Sequence, residues 1–224
     1  METVVISIGG SVILPDLDTA RIKRFADMLM SLKKKKIKAY VVVGGGKGAR
    51  DYIQVARNLG ANDAECDEVG IAFTRLNARL LIAALGDNAH REPAASLEEA
   101  GRMGDDRAVI MGGTHIGHTT DAVAALLAEY LRSDLLIIAT NVDGVYSEDP
   151  KKNPKAKKFS KITASELVKI VMSNVMKAGS AGVVDPLAAK IIERSGIKTI
   201  VVNGNNPSQI ESACSGSHDG TVIN

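Results

Sequence analysis

The sequence predicts an α/β protein built on a mainly parallel sheet with helices on both faces. Apolar runs of strand length, at residues 3–8, 39–43, 108–111, 135–139 and 199–202, alternate with stretches of helical period, the pattern of repeated βα units. Four of these runs lead into turns that carry glycine: Gly9-Gly10, Gly44-Gly45-Gly46, Gly112-Gly113 and Asn141-Val142-Asp143-Gly144. Glycine lets the backbone turn sharply and approach a ligand closely, so several such turns at strand ends imply a crevice that holds phosphates.

Taken in order, the run 3–8 ends in Ser7-Ile8-Gly9-Gly10-Ser11. A helix follows with Met28, Leu29 and Leu32 on its apolar face, and Lys33–Lys36 closes it, where cations suit the dipole and solvent. The run 39–43 leads directly into Gly44-Gly45-Gly46-Lys47 and a further helix, a junction whose N–H groups and dipole favour an anion. Leu76, Leu80, Ile82 and Ala83 mark the expected inner face of the next long helix. Ser96 with Glu99 and Thr163 with Glu166 read as capping boxes, while Asp185-Pro186 and Asn206-Pro207 each place a cap before a proline at the first helical position. The basic stretch from Lys151 to Lys158 follows Asp149-Pro150 and reads as a surface loop beside the fourth glycine turn.

With 224 residues, 45% of them hydrophobic, the chain can bury a substantial core as one large domain or two intimately joined ones. A net charge of +2, 3% aromatic residues and no Trp leave nucleic acid without an attracting field or stacking platforms. Cys66 and Cys214 are far apart in sequence, so no disulfide framework or zinc site is expected and a reducing cytoplasm fits. The N-terminus has no basic segment followed by a long apolar stretch, so neither signal peptide nor membrane span is expected.

Standard nucleotide fingerprints fit poorly. Gly48 follows Lys47 where a Walker loop needs Ser or Thr for magnesium. Gly44, Gly46 and Ala49 match the permissive dinucleotide pattern, but Asn62, Asp63 and Glu65 do not supply an acidic residue closing a second strand. The third junction is more specific. Gly112-Gly113-Thr114-His115-Ile116-Gly117-His118-Thr119-Thr120-Asp121 places donors, hydroxyls and two imidazoles on a loop opening a helix at 122–131. Asp121 reads either as part of the helix cap or as a carboxylate that organises cations around phosphates. His115 and His118 lack a third ligand at metal spacing, which argues against zinc.

These segments, with Cys66-Asp67-Glu68-Val69-Gly70-Ile71, the stretch from Ala139 to Pro150 and Asp185-Pro186-Leu187-Ala188-Ala189-Lys190, closely resemble the archaeal type of UMP kinase in the amino-acid kinase superfamily. The resemblance implies a three-layer α/β/α sandwich, an acceptor-binding part at about 1–132, an ATP-binding part at about 133–224, and a homohexamer built from dimers. It implies transfer of the γ-phosphoryl group of MgATP to UMP in pyrimidine nucleotide biosynthesis, with Mg2+ as cofactor. By position, Ser7, Ile8, Gly9, Gly10, Ser11, Gly46, Arg50, Thr140, Asn141, Tyr146 and Asp149 belong to ATP. Gly45, Asp67, Thr114, His115, Ile116, Gly117, His118, Thr119 and Thr120 belong to UMP. Many relatives carry a lysine where this chain has Ser7, so Lys47 and Arg50 become the expected catalytic cations, organised by Asp121, with Lys190 undecided between helix surface and site. An acetylglutamate, carbamate or isopentenyl-phosphate kinase, a nucleotide-storage protein of the same fold and a dehydrogenase remain as alternatives.

Overall fold

The computed structural model describes residues 2–148, 150, 153–175 and 183–224. Asp149, assigned above to ATP, and Lys151 and Lys152 lie outside the described residues. The chain runs β1 (Glu2–Ile8), α1 (Gly10–Ile13), α2 (Thr19–Lys34), β2 (Ile37–Val43), α3 (Gly46–Asn58), α4 (Asp63–Leu85), α5 (Leu97–Arg102), β3 (Val109–Met111), α6 (Thr120–Leu131) and β4 (Leu135–Thr140). It continues through β5 (Lys161–Ile162), α7 (Ala164–Val175), α8 (Pro186–Ser195), β6 (Thr199–Asn203), α9 (Ser208–Cys214) and β7 (Thr221–Ile223).

The seven strands form one sheet in the order β3-β2-β1-β4-β6-β7-β5. Among these seven strands of the described residues, only the β6–β7 pair is antiparallel. The chain builds outward from β1 to β3 and then returns to lay β4 on the other flank of β1, which opens a crevice at the carboxyl ends of the strands. Register sharpens this. Ile8 pairs with both Val43 and Ala139, so the turns after β1, β2 and β4 leave the sheet side by side.

Alternation along the strands feeds two cores. Val4, Ile6 and Ile8 pack with Phe25, Leu29 and Leu32 of α2, Leu81 of α4 and Ile210 of α9. Val5, Val42 and Val201 face Val123 and Leu127 of α6, Leu167 of α7 and Ile192 of α8. A sheet with both faces covered explains why its strands read as continuous apolar runs. The three layers match the expected α/β/α arrangement.

α4 departs from expectation in its orientation. Its buried residues are Cys66, Thr74, Asn77, Ala78, Leu81, Ile82 and Leu85, whereas Leu76 is 53% exposed and Ala83 is also exposed. Apolar residues surround most of this helix, so their spacing did not mark the inner face, and that face contains two polar residues with partners in the glycine loops. The stretch Asp63–Asn88 is long and apolar enough to cross a membrane by length and composition; here its inner face covers the sheet.

The caps follow the sequence with one-residue differences. Thr163 and Glu166 form a reciprocal capping box. Ser96 accepts from the Glu99 amide at 3.1 Å, but the Glu99 carboxylate reaches the amide of Ala95. Asp185 caps α8 through the Ala188 amide at 2.9 Å, with Pro186 as its first residue. α9 starts at Ser208, so Pro207 sits at the cap and Asn206 accepts from the Ser208 amide at 3.2 Å. Both cysteines are free thiols.

Candidate functional site

Two glycine turns meet backbone to backbone at the crevice. A Cβ on Gly10 would lie 2.0 Å from the nitrogen of Gly46, and one on Gly44 would lie 2.5 Å from the nitrogen of Gly10. Any side chain at either position would force the loops apart, so glycine is required here by space. The Gly9 amide donates to Ala139 O at 3.0 Å and the Gly44 amide to Ile8 O at 2.9 Å, which extends the sheet ladder into the loops.

Beside this floor lies a cleft of about 340 Å³ lined by Gly45, Gly46, Arg50, Asp67, Gly117, His118, Thr119 and Thr120, together with Ala49, Ile53, Gly70, Ile71, Thr74 and Gly113. Asp67, on α4, accepts from the Gly117 amide at 2.8 Å. That bond fastens the turn before α6 to α4 and leaves the other carboxylate oxygen for a ligand. Thr119 is the N-cap of α6 and accepts from the Ala122 amide at 3.1 Å. Thr114, His115 and Ile116 line a separate, adjoining open groove of about 690 Å³ with Arg75, Leu76 and Arg79. His115 Nδ1 lies 3.0 Å from Thr114 Oγ1, and its ring stands 5.7 Å from that of His118.

Ser7 and Ile8 are fully buried, so their side chains do not line the site. Ser7 instead donates from Oγ to Asp121 Oδ1 at 2.6 Å. Burial pushes the Asp121 carboxyl up to about 6; the Ser7 bond opposes this and the negative field of Asp185 adds to it. Among the described residues no Lys or Arg pairs with Asp121. Lys47 and Arg50 sit in the first turns of α3, both exposed, and Arg50 reaches the cleft. Neither makes an ion pair among the described residues. Lys190 is bonded on the surface of α8 to Glu193 at 2.9 Å, which settles its described position as helix surface.

Toward the other side, Thr140 ends β4 and accepts from the Gly204 amide at 2.8 Å. Tyr146 donates from its hydroxyl to Asp143 Oδ1 at 2.7 Å, and Lys158 donates to Asp143 Oδ2 at 2.8 Å. Burial raises the Asp143 carboxyl, but the Lys158 and Tyr146 bonds outweigh it and hold the group below its ordinary value. The same contact raises the Tyr146 hydroxyl. Asn141 is exposed at this edge.

Several supporting residues escaped the sequence reading. Thr74 accepts from the Gly113 amide at 2.7 Å and donates to Ile71 O, and Asn77 donates to the carbonyls of Gly44 and Gly45. Arg75 donates to Gly113 O at 3.2 Å. Two polar residues three apart within an apolar helix were the available signal, hidden by the misplaced inner face.

A sequence model described as the amino acid kinase family matches residues 2–203. The chain belongs to that family. Within it, a uridylate kinase of Methanococcoides burtonii is 53% identical over 208 residues, covering 92% of this chain and 88% of the relative. A uridylate kinase of Halobacterium salinarum is 52% identical over 224 residues, covering 98% and 92%. The crystal structure of uridylate kinase from Archaeoglobus fulgidus superposes with a TM-score of 0.90 at 48% identity, with 100% of both chains covered.

Proposed function

We propose that this chain is a UMP kinase, transferring the γ-phosphoryl group of ATP to a phosphate oxygen of UMP to give ADP and UDP for pyrimidine nucleotide synthesis. The observation that carries this reading is the cleft joining Gly45, Asp67 and the Gly117 to Thr120 turn, in a chain 53% identical to a uridylate kinase over 92% of its length.

The acceptor needs no general base. A nucleoside monophosphate has a second pKa of about 6, so its oxygen is anionic at neutral pH and the barrier lies in bringing polyanions together. The acceptor oxygen forms a bond to the γ-phosphorus as the bond to the β-bridging oxygen breaks, and ADP leaves with that electron pair. The protein aligns the two nucleotides across the paired glycine loops and meets their charge with N–H groups, Lys47 and Arg50. Asp67 and the 117–120 turn hold UMP, while Gly9, Gly10, Ser11, Gly46, Thr140, Asn141 and Tyr146 serve ATP. No cluster of three or more His, Cys, Asp or Glu suited to a metal occurs among the described residues. Asp121, bonded to Ser7 at the end of β1, is the carboxylate that would suit a hydrated Mg2+ carried by the nucleotide, which would neutralise phosphate charge.

The same reading divides the chain into an acceptor part at about 1–132 and an ATP part at about 133–224. We further propose a cytoplasmic homohexamer built from dimers, without membrane or nucleic-acid partners. Tyr52, Val55 and Leu59, exposed by 64%, 59% and 83% along one side of α3, support burial against another copy. ADP production measured across UMP, CMP, AMP, dUMP and carbamate tests the activity. UMP should exceed AMP in kcat/KM by about two decades, because a site matched to one base leaves polar groups unpaired with another. Equal values for UMP and AMP would overturn the assignment.

A further inference from the structure

The floor of the cleft is backbone, and one side chain holds both of its carbonyls, the Gly45 oxygen also accepting from the Ala49 amide of α3 at 3.4 Å. Asn77 sits on the inner face of α4, 4% exposed. Its amide donates to Gly44 O at 2.9 Å and to Gly45 O at 3.2 Å. Across a trans peptide the C=O and N–H point in opposite directions. Holding both carbonyls against α4 therefore turns the N–H groups of Gly45 and Gly46 away from that helix. Gly10 packs against the same stretch: a Cβ there would come within 2.0 Å of Gly46 N, 2.5 Å of Gly45 C and 2.6 Å of Gly44 O, so the two loops leave little room for either peptide to rotate.

The local angles agree. Gly45 is right-handed, with φ −82° and ψ −32°, and Gly46 follows with φ +68°. Right-then-left succession curls consecutive N–H groups into a concave nest for an anion. The N-cap residue of α3 is Gly45, which has no side chain with which to accept from the leading N–H groups of the helix. Rotation of either peptide would instead present a carbonyl oxygen to phosphate and repel it.

We propose that Asn77 is a positioning residue for phosphoryl transfer, presetting the Gly45 and Gly46 N–H groups toward the phosphate that passes between the two nucleotides. This rests on the kinase reading above. Thr74 and Arg75 treat the facing loop similarly by holding the amide and carbonyl of Gly113.

The test is Asn77→Asp, which keeps the size of the side chain and replaces both N–H donors with oxygen. With circular dichroism and thermal unfolding cooperative as in the parent chain, kcat should fall about a hundredfold while the KM for ATP changes less than about threefold, the pattern of donors that act in the transition state. A folded variant with near-parental kcat overturns the role. Should the variant fail to fold, the parent chain decides: the amide resonances of Gly45 and Gly46 should move downfield on saturation with a nonhydrolysable ATP analogue and UMP. Unmoved amides overturn it. A parent chain that binds both nucleotides without turnover would overturn the kinase reading, whereas a parent chain that phosphorylates UMP beside a folded Asn77→Asp variant of equal kcat would overturn the role of Asn77 alone.

Discussion

The region proposed to take the acceptor and the turn proposed to take the donor nucleotide are held by different means. On the acceptor side, Thr74 and Asn77, 7% and 4% exposed, reach from a long helix into the loops and fix individual peptide groups. On the donor side, the turn after β4 is tied by Asp143 to Tyr146 and Lys158, with side-chain exposures of 48% for Asp143 and 26% for Lys158. Buried hydrogen bonds are costly to break because the orphaned group stays dry, whereas pairs open to water exchange their partner for solvent. The contrast makes the acceptor floor preorganised and the donor turn adjustable, and it orders the effects expected from mutation.

The largest effect is expected at Lys47, exposed in the first turn of α3. Lys47→Ala should lower kcat by about a hundredfold or more, as loss of a charge acting mainly in the transition state would. Near-normal kcat with an intact circular dichroism spectrum would move the charge to Arg50. Next comes Asp67→Asn, expected to lower kcat/KM for UMP by about tenfold to a hundredfold with the KM for ATP little changed. Because Asp67 also holds the Gly117 amide, a matching rise in the KM for ATP would show that the whole cleft had loosened and would blur the two-sided contrast.

Asp121 is tested by pH. Its folded pKa of about 6 lies above the usual carboxylate value of 3.8. The folded state then binds this proton more tightly than the unfolded chain, so the residue's contribution to stability is greatest below pH 3.8 and is lost as pH rises toward 6. Compared with the parent, Asp121→Asn should flatten thermal stability across that window. An unchanged pH slope would mean the Ser7 bond and solvent hold the carboxylate ionised. The smallest effect is expected at the donor turn: Asp143→Asn should shift stability by less than about 1 kcal/mol, as exposed pairs do, and raise the KM for ATP by about two- to fivefold without touching that for UMP. A loss as large as that of Lys47→Ala would end the distinction between the sides.

How far the sequence reached depended on whether a feature was local. Continuous apolar runs marked the strands β1, β2, β3, β4 and β6 because a sheet covered on both faces demands them. The short strands β5 (Lys161–Ile162) and β7 (Thr221–Ile223) escaped because neither is apolar and buried throughout, unlike β3, Val109–Met111, which is no longer than β7. Glycine turns announced the close meeting of the loops after β1 and β2, because the need for a bare backbone is written in residue type. Orientation was another matter.

The sequence by itself determined the α/β class, the positions of the glycine junctions, the caps of α7 and α8, and a motif order sufficient to point to the family. Only the tertiary structure decided that Ser7 turns inward to Asp121, that Asp67 anchors Gly117, that Thr114 to Ile116 face a second groove, and that Asn77 steers the peptides of Gly44 and Gly45. The physical reason is range. Strand burial, turns and caps are settled within a few residues of backbone, while these contacts join groups 32 to 114 residues apart, whose meeting depends on sheet order, register and the rotation of α4 about its own axis.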